Sequence, residues 1–297
     1  MSPIHVGNRK ISGSLASDPV GVSTSAGSIY YNTTDDELKV WDGSAWTSLS
    51  GGSAAYSSGV GSGLLMDLDF GRLSYSDNQQ ITGSTSLAGA LNHTTTDWAS
   101  SSSNTPLNLD GGSFNYKTAN GGHIDTYTNN CRISVGAGSG SPNMASILNT
   151  AALCVEGWYM YNGSGRDVLV SRYGNGFPNQ FNHIVDPGGQ FHFNSSGVSA
   201  GSGDRDWDSF GDNVWFHCIW QYTGGTHYWW VNNVQRGTHG QGSSMAVSSN
   251  TGFAIASRAD DYERLEGKVA IVRVYNRALS SAEISTHWFA EKGRFGL

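Results

Sequence analysis

Apolar residues along this chain fall in short aromatic and β-branched runs separated by Gly, Ser, Thr and Asn, the profile of many strands joined by tight turns. Leu64-Leu-Met-Asp-Leu-Asp-Phe70 alternates, placing Leu65, Asp67 and Asp69 on one face and Leu64, Met66, Leu68 and Phe70 on the other. A strand pair is expected at Leu107–Tyr116, strands at Ala152–Tyr161, Val168–Arg172, Gln190–Phe193 and Val214–Tyr222, and a hairpin at His227–Gln235. Within the last, Asn232-Asn233 suits a primed hairpin turn, because Asn accepts positive φ. The stretch from Gly71 to Asn104 has few periodic apolar residues and reads as long loops with short strands. Lys268 to Tyr275 reads as a strand packed on both faces. The period then changes, and from Ser280 onward the pattern is an amphipathic helix. Ser280 and Glu283 form a capping box. Ile284, Trp288 and Phe289 are expected on its buried face, with Gly293 as the C-terminal stop. With a single helix in the reading, the fold class is all-β.

Residues 1–50 differ from the rest of the chain. A strand from Ser28 to Asn32, one from Glu37 to Trp41, an Asp42-Gly43 turn and a short strand from Ala45 predict a β-meander. Its core of Ile29, Tyr31, Leu38, Val40 and Trp46 is too small to stand alone, so it should lean on a neighbour or on copies of itself. Residues 51–63 are a Gly/Ser-rich linker by composition. The chain therefore divides into 1–50, 51–63 and a large domain at 64–297.

Composition narrows the function classes. The formal charge is −7 with 17 Lys and Arg scattered singly, so no basic stripe exists for nucleic acid. No window reaches the ~18 apolar residues of a membrane span, and the N-terminus lacks the apolar core of a signal peptide. The expectation is a soluble chain made in the cytosol. Three cysteines cannot all pair internally. Cys154 and Cys218 lie in apolar strands and read as small buried hydrophobes, while Cys131 stays open.

The closing run Tyr275-Asn-Arg-Ala-Leu-Ser-Ser-Ala-Glu-Ile284 resembles the end of concanavalin-A-like, laminin-G-like jelly-roll domains. Leu107-Asn-Leu-Asp-Gly-Gly-Ser-Phe-Asn-Tyr116, Ala152–Tyr161, Val214–Tyr222 and His227–Gln235 match strands of that group in order and spacing. The resemblance implies a jelly-roll sandwich preceded by the small meander, and a lectin-like role. Separately, Ala26–Leu49 resembles a short module, G-x-x-Y-Y-N-T-T-x-x-x-L-x-x-x-x-G-x-x-W, found in tail-fibre and other virion proteins of tailed bacteriophages. That likeness implies a virion structural protein made in the host bacterial cytoplasm. Its other virion partners and its own copies, in a homotrimer, would be held through Tyr30, Tyr31, Trp41 and Trp46. The lectin-like domain would bind host-surface carbohydrate. The competing readings are a purely structural head or tail cement protein and a secreted bacterial lectin.

The same jelly roll hosts glycosidases, which need two carboxyl groups about 5 Å apart, commonly as Glu-x-Asp-x-x-Glu on one strand. No such run exists here, since Glu156 is alone on its strand and Glu263 and Glu266 flank a loop. An enzyme is not expected. Asp204-Arg-Asp-Trp-Asp208 is the sharpest polar constellation. Extended, it aligns Asp204, Asp206 and Asp208, three hard oxygen donors able to take Ca²⁺, or it is a solvated acidic loop. Trp207 either stacks on sugar C–H faces or folds back onto the core. Arg258-Ala-Asp-Asp-Tyr-Glu-Arg264 is a second candidate rim through Arg258, Asp260, Asp261 and Tyr262, or a charged hairpin tip. His183, His192, His217, His227 and His239 show no metal-ligand spacing and should pack or face solvent. Tyr228, Trp229 and Trp230 put aromatics on both faces of one strand, so a sheet face there is either covered by a partner or used for binding.

Overall fold

The computed structural model of the chain describes residues 5–6, 9–15, 17, 29–34, 37–41, 45–48, 62–82, 90–94, 107–110, 112–126, 132–135, 152–162, 165–172, 181–186, 190–195, 205–206, 212–240, 253–258 and 263–297. It contains two compact units, Met1–Ser57 and Ser58–Leu297. Strands dominate both.

In the first unit the strands are β1 (His5–Val6), β2 (Arg9–Leu15), β3 (Ile29–Asn32), β4 (Glu37–Trp41) and β5 (Trp46–Ser48). They form one sheet in the order β1-β2-β3-β4-β5. The predicted meander is β3 to β5, and its first bend is fixed by the Asn32 side chain, which accepts the Thr34 N–H at 2.9 Å. Trp41 and Trp46 sit opposite one another across β4 and β5, their rings edge to face with centroids 5.5 Å apart. The sheet also gains β1 and β2, which the hydrophobic pattern did not announce. The β2 sequence RKISGSL has little alternation, and its partner β3, in parallel register, lies well along the chain.

The second unit begins with β6 (Leu64–Asp69), β7 (Gln80–Ile81), β8 (Leu91–Thr94), β9 (Leu107–Asp110), β10 (Phe114–Lys117), β11 (His123–Asp125) and β12 (Arg132–Val135). It continues with β13 (Ala152–Tyr161), β14 (Asp167–Arg172), β15 (Phe181–Asp186), β16 (Gln190–Ser195) and β17 (Arg205–Asp206). Last come β18 (Trp215–Thr223), β19 (Thr226–Val231), β20 (Val234–Gly240), β21 (Phe253–Ile255), β22 (Gly267–Tyr275) and the helix α1 (Ser281–Glu291). A ten-stranded sheet runs β20-β19-β18-β13-β22-β11-β10-β7, with β6 beside β22 and β8 beside β6. A seven-stranded sheet runs β17-β16-β15-β14-β21-β12-β9. Within each, pairing is antiparallel throughout, as a jelly-roll sandwich requires.

The main core lies between the sheets. Leu153, Val155 and Tyr161 of β13, Phe216, Trp220 and Tyr222 of β18, and Val272 and Val274 of β22 pack with Val170, Val185 and Ile255 of the smaller sheet. Each such side chain contributes about 1.5–3 kcal/mol by leaving water. The long central strands are apolar on both faces because α1 and the turn after it cover the reverse side. There Cys154, Ile219 and Tyr275 meet Leu279 and Ile284, while Trp158, Met160, Trp215, Ala270 and Ile271 meet Phe295.

Local signals predicted several elements well. The Ser280–Glu283 capping box is present in both directions. The Asn232-Asn233 turn has φ of 48° and 66°, a primed hairpin. Two expectations for the helix need correction. Phe289 is 64% exposed, and the buried face carries Ile284, His287 and Glu291. Gly293 lies inside a 3₁₀ turn at Lys292–Phe295, and the left-handed stop falls at Gly296. A third correction concerns β19. Trp229 is buried in the core, while Trp230, half-buried, packs on the apolar cluster under α1, so the chain itself covers part of that face.

Candidate functional site

The densest polar constellation lies on the reverse face of the ten-stranded sheet, beneath α1. Glu156 of β13 projects there with no exposed surface. His217 of β18, the neighbouring strand, and His287 of α1 both reach its carboxylate at 2.8 Å. A carboxylate only accepts, so each of these ring nitrogens carries a proton. Arg273 of β22 completes the group: its Nη2 donates to Glu291 at 2.6 Å, its Nε donates to Asp67 of β6 at 3.1 Å, and its Nη1 stands 3.7 Å from Glu156. Trp158 Nε1 donates to the other Glu291 oxygen at 2.6 Å. Arg72 closes the far side on Asp67, also at 2.6 Å.

Burial by itself would push the Glu156 carboxyl up. The His287 ring beside it, the hydrogen bonds from His217 and His287, and Arg273 outweigh that and hold it well below the usual carboxylate range. Arg273 is likewise kept charged: desolvation works against its cation, but Glu291, Glu156 and Asp67 together raise its pKa well above the ordinary value.

This cluster meets one criterion of a glycosidase and fails the others. Ligand-capable atoms of Glu156, His217 and Glu291 all lie within 4.8 Å of one another, close to the separation a retaining pair uses. Both carboxylates are buried, however, and Arg273 lies within ion-pair range of each. What the arrangement does is tie the last helix directly to β13 and β22 and, through Glu156 and Arg273, to β18 and β6. The sequence concealed it because the partners of Glu156 lie 61 and 131 residues away. Its visible traces were a lone acid in an apolar strand and the His287/Glu291 pair one turn apart on α1.

A second buried pair bridges the sandwich, with Cys218 Sγ 3.2 Å from His183 Nε2. Burial pushes the thiol well up and the imidazole down to about 3, so both are neutral at physiological pH and the cysteine is not a nucleophile. Cys154 and Cys218 are both free and buried, as their apolar strands imply.

The described parts of the two predicted rims lie at strands of the seven-stranded sheet. Asp206 ends β17 opposite Phe191 of β16; the register continues through Val185 of β15 to Asp167 of β14. On the other side of β14, Ile255 pairs with Val170 and Ala256 donates to Leu169, so β21 runs toward that same end and delivers Arg258 there. Asp206 and Arg258 thus share one end of the sheet, four strand steps or roughly 19 Å apart at the usual spacing. The base of the second rim is fixed by a Ser257–Arg264 bridge, an Arg258–Glu263 ion pair at 3.4 Å and the Arg258 N–H on the Glu263 carbonyl. Its two legs carry the non-glycine residues Ala256 and Glu263 at φ of 65° and 54°, conformations that L-residues rarely adopt. Asp204, Trp207, Asp208, Asp260, Asp261 and Tyr262 lie outside the described residues, as do the side chains of Asp206, Tyr30 and Tyr31.

A family model described as the concanavalin A-like lectin/glucanases superfamily matches residues 136–285. No curated protein sequence matches the chain. Among solved structures, a Trypanosoma rangeli sialidase is similar with a TM-score of 0.52 at 12% identity, over 90% of this chain and 44% of its own. A mutant of that sialidase displaying trans-sialidase activity matches with a TM-score of 0.51 at 12% identity, over 78% and 33%. Domain 4 of an extracellular arabinanase from Geobacillus stearothermophilus, in complex with arabinotriose, matches at 0.49 and 12% identity, over 71% and 98%. The chain therefore spans less than half of these sialidases, and the likeness is one of fold.

Proposed function

The chain belongs to the concanavalin A-like lectin/glucanase superfamily, and from that premise we propose that it is a carbohydrate-binding protein without hydrolase activity. The observation that carries this reading is the strand register that delivers Asp206 and Arg258, one from each polar segment, to the same end of the seven-stranded sheet. Strand ends and the loops between them are where a rigid sandwich presents adaptable polar groups. Asp204, Asp206 and Asp208 accept hydrogen bonds from sugar hydroxyls, Trp207 and Tyr262 offer stacking surfaces, and Arg258, Asp260 and Asp261 complete the second edge. The absence of hydrolysis is argued from Glu156 and Glu291, whose carboxylates are committed to His217, His287, Arg273 and Trp158. Binding of the intact protein to a glycan array and to polysaccharide-coated cells tests this. Saturable binding without release of reducing sugar supports the reading; no binding to any glycan contradicts it.

The likeness of Ala26–Leu49 to a virion module favours a more specific form of the same reading. In it the protein is displayed on a tailed-bacteriophage virion, made in the host cytoplasm, and attaches to host-surface carbohydrate. Residues 1–50 dock and self-associate through Tyr30, Tyr31, Trp41 and Trp46, and 51–63 tether the sandwich of 64–297. Sedimentation is expected to give a trimer for the full chain and a monomer for a chain beginning at Leu64. A trimer from the shorter chain would contradict the docking role. No metal is required in this account, so EDTA should leave glycan binding unchanged; loss of binding that Ca²⁺ restores would assign a cation to Asp204, Asp206 and Asp208. Retained virion binding with no glycan binding would favour the cement reading.

A further inference from the structure

Five carboxylates are buried among the described residues: Asp67, Asp69, Glu156, Asp167 and Glu291. Four face cations. Asp67 has Arg72 and Arg273, Asp69 has Arg294, Glu291 has Arg273, and Glu156 has two imidazoles and Arg273. Asp167, 3% exposed, is the exception among these residues. Its one hydrogen bond there is from the Glu266 backbone N–H, at 2.7 Å.

That bond sits at a junction. Glu266 lies on the crossover that carries the chain from the 258–263 rim in the smaller sheet into β22 of the larger one. The same crossover is tethered by Thr126 Oγ1 to the Leu265 and Gly267 carbonyls at 2.7 and 3.0 Å, by the Asn162 N–H to the Glu266 carbonyl, and by the Leu265 N–H to Ala256. Each of these is neutral. Among these tethers Asp167 is the one that can gain or lose charge.

The surroundings bias it toward the neutral form. Glu266, on the crossover, sets a like charge beside it. On β15 its register partner is Val185, and His183 of that strand turns into the core against Cys218. β21 offers Phe253, Ala254 and Ile255, none of them titratable; past its end Arg258 forms an ion pair with Glu263, and Arg166, next in sequence, is exposed. Desolvation first, and then Glu266, outweigh the Glu266 amide and raise the carboxyl to about 7.

We propose that Asp167 is a proton-linked fastener of the crossover beneath the Arg258 rim, so that local opening of residues 264–267 releases one proton. The direction follows from linkage. The closed state holds the proton up to neutral pH, whereas the water-exposed carboxyl of the open state loses it near its ordinary value of 3.8. The crossover is therefore tightest in acid, loosens as pH rises between the two values, and changes no further above about 7. In that window one released proton makes opening up to about tenfold more frequent per pH unit. The device is independent of what the rim binds.

Amide exchange of Leu265 and Glu266 in the full chain, corrected for intrinsic rates, tests it across the window. Wild type should lose protection as pH rises and then level off, while Asp167→Asn, which keeps the shape without the charge, should be flat. Glu266→Gln, which removes the like charge, should bring the plateau to lower pH. Protection independent of pH in wild type, or the same slope in Asp167→Asn and wild type, would overturn the proposal. If Asp167→Asn does not fold, an unmoved plateau in Glu266→Gln overturns it equally.

Discussion

Glu156 shows how little a single residue means without its neighbours. In the strand it is one acid among apolar residues; in the fold it accepts from two imidazoles and stands 3.7 Å from a guanidinium. Removing one member of such a buried set leaves the others charged or unpaired, which typically costs about 3–5 kcal/mol. Glu156→Gln should lower the unfolding free energy read from urea titration by an amount in that range without changing glycan binding at a temperature where it stays folded. The pH dependence has a defined sense. Because the folded carboxyl lies below its ordinary value of 4.5, its contribution is complete above that pH and is lost as pH falls toward the depressed value. Wild type should thus lose stability below about 4.5, and Glu156→Gln should lose less over the same range. Gly267 makes a steric prediction instead. A Cβ there would fall on the Met160 carbonyl oxygen, so Gly267→Ala should be among the most destabilising single substitutions at the sheet junction, read as a lowered Tm.

At the scale of elements, the helix that closes the chain is held by both kinds of information. Its start was legible, because a capping box is a relation between residues three apart. Ser280→Ala should cost about 1 kcal/mol, measured by denaturant titration. Its buried face was legible at Ile284 and Trp288 but not at His287 and Glu291, which carry the polar half of the cluster and break the apolar stripe that periodicity detects. The Asn232-Asn233 turn was legible for the same local reason as the cap. β2 was not, since its parallel partner further along the chain leaves no mark on neighbouring residues, and β1 was not, since two residues show no alternation. A chain ending at Ser280 should expose Trp158, Glu156 and Arg273 together and lose cooperative unfolding, followed by tryptophan fluorescence. A sharp two-state transition in the shortened chain would show that α1 is dispensable.

For the whole molecule, the order and spacing of the strands in the sequence were enough to indicate a jelly roll, and the sandwich bears this out. Function was less legible. The carboxylate pair that resembles catalytic spacing is an internal brace, whereas the polar segments singled out from the sequence meet the framework at a sheet end. Proximity of acids in space is thus a poor guide without access, and the polar rim is the better place to look for a ligand. The most direct measurement is a set of binding isotherms against the glycan selected on the array, for wild type, Trp207→Ala, Arg258→Ala and Glu156→Gln. The account predicts that the two rim variants bind at least about tenfold more weakly, a change of about 1.4 kcal/mol, while Glu156→Gln binds like wild type. Unchanged binding in both rim variants, or loss in Glu156→Gln with its fold intact, would contradict it.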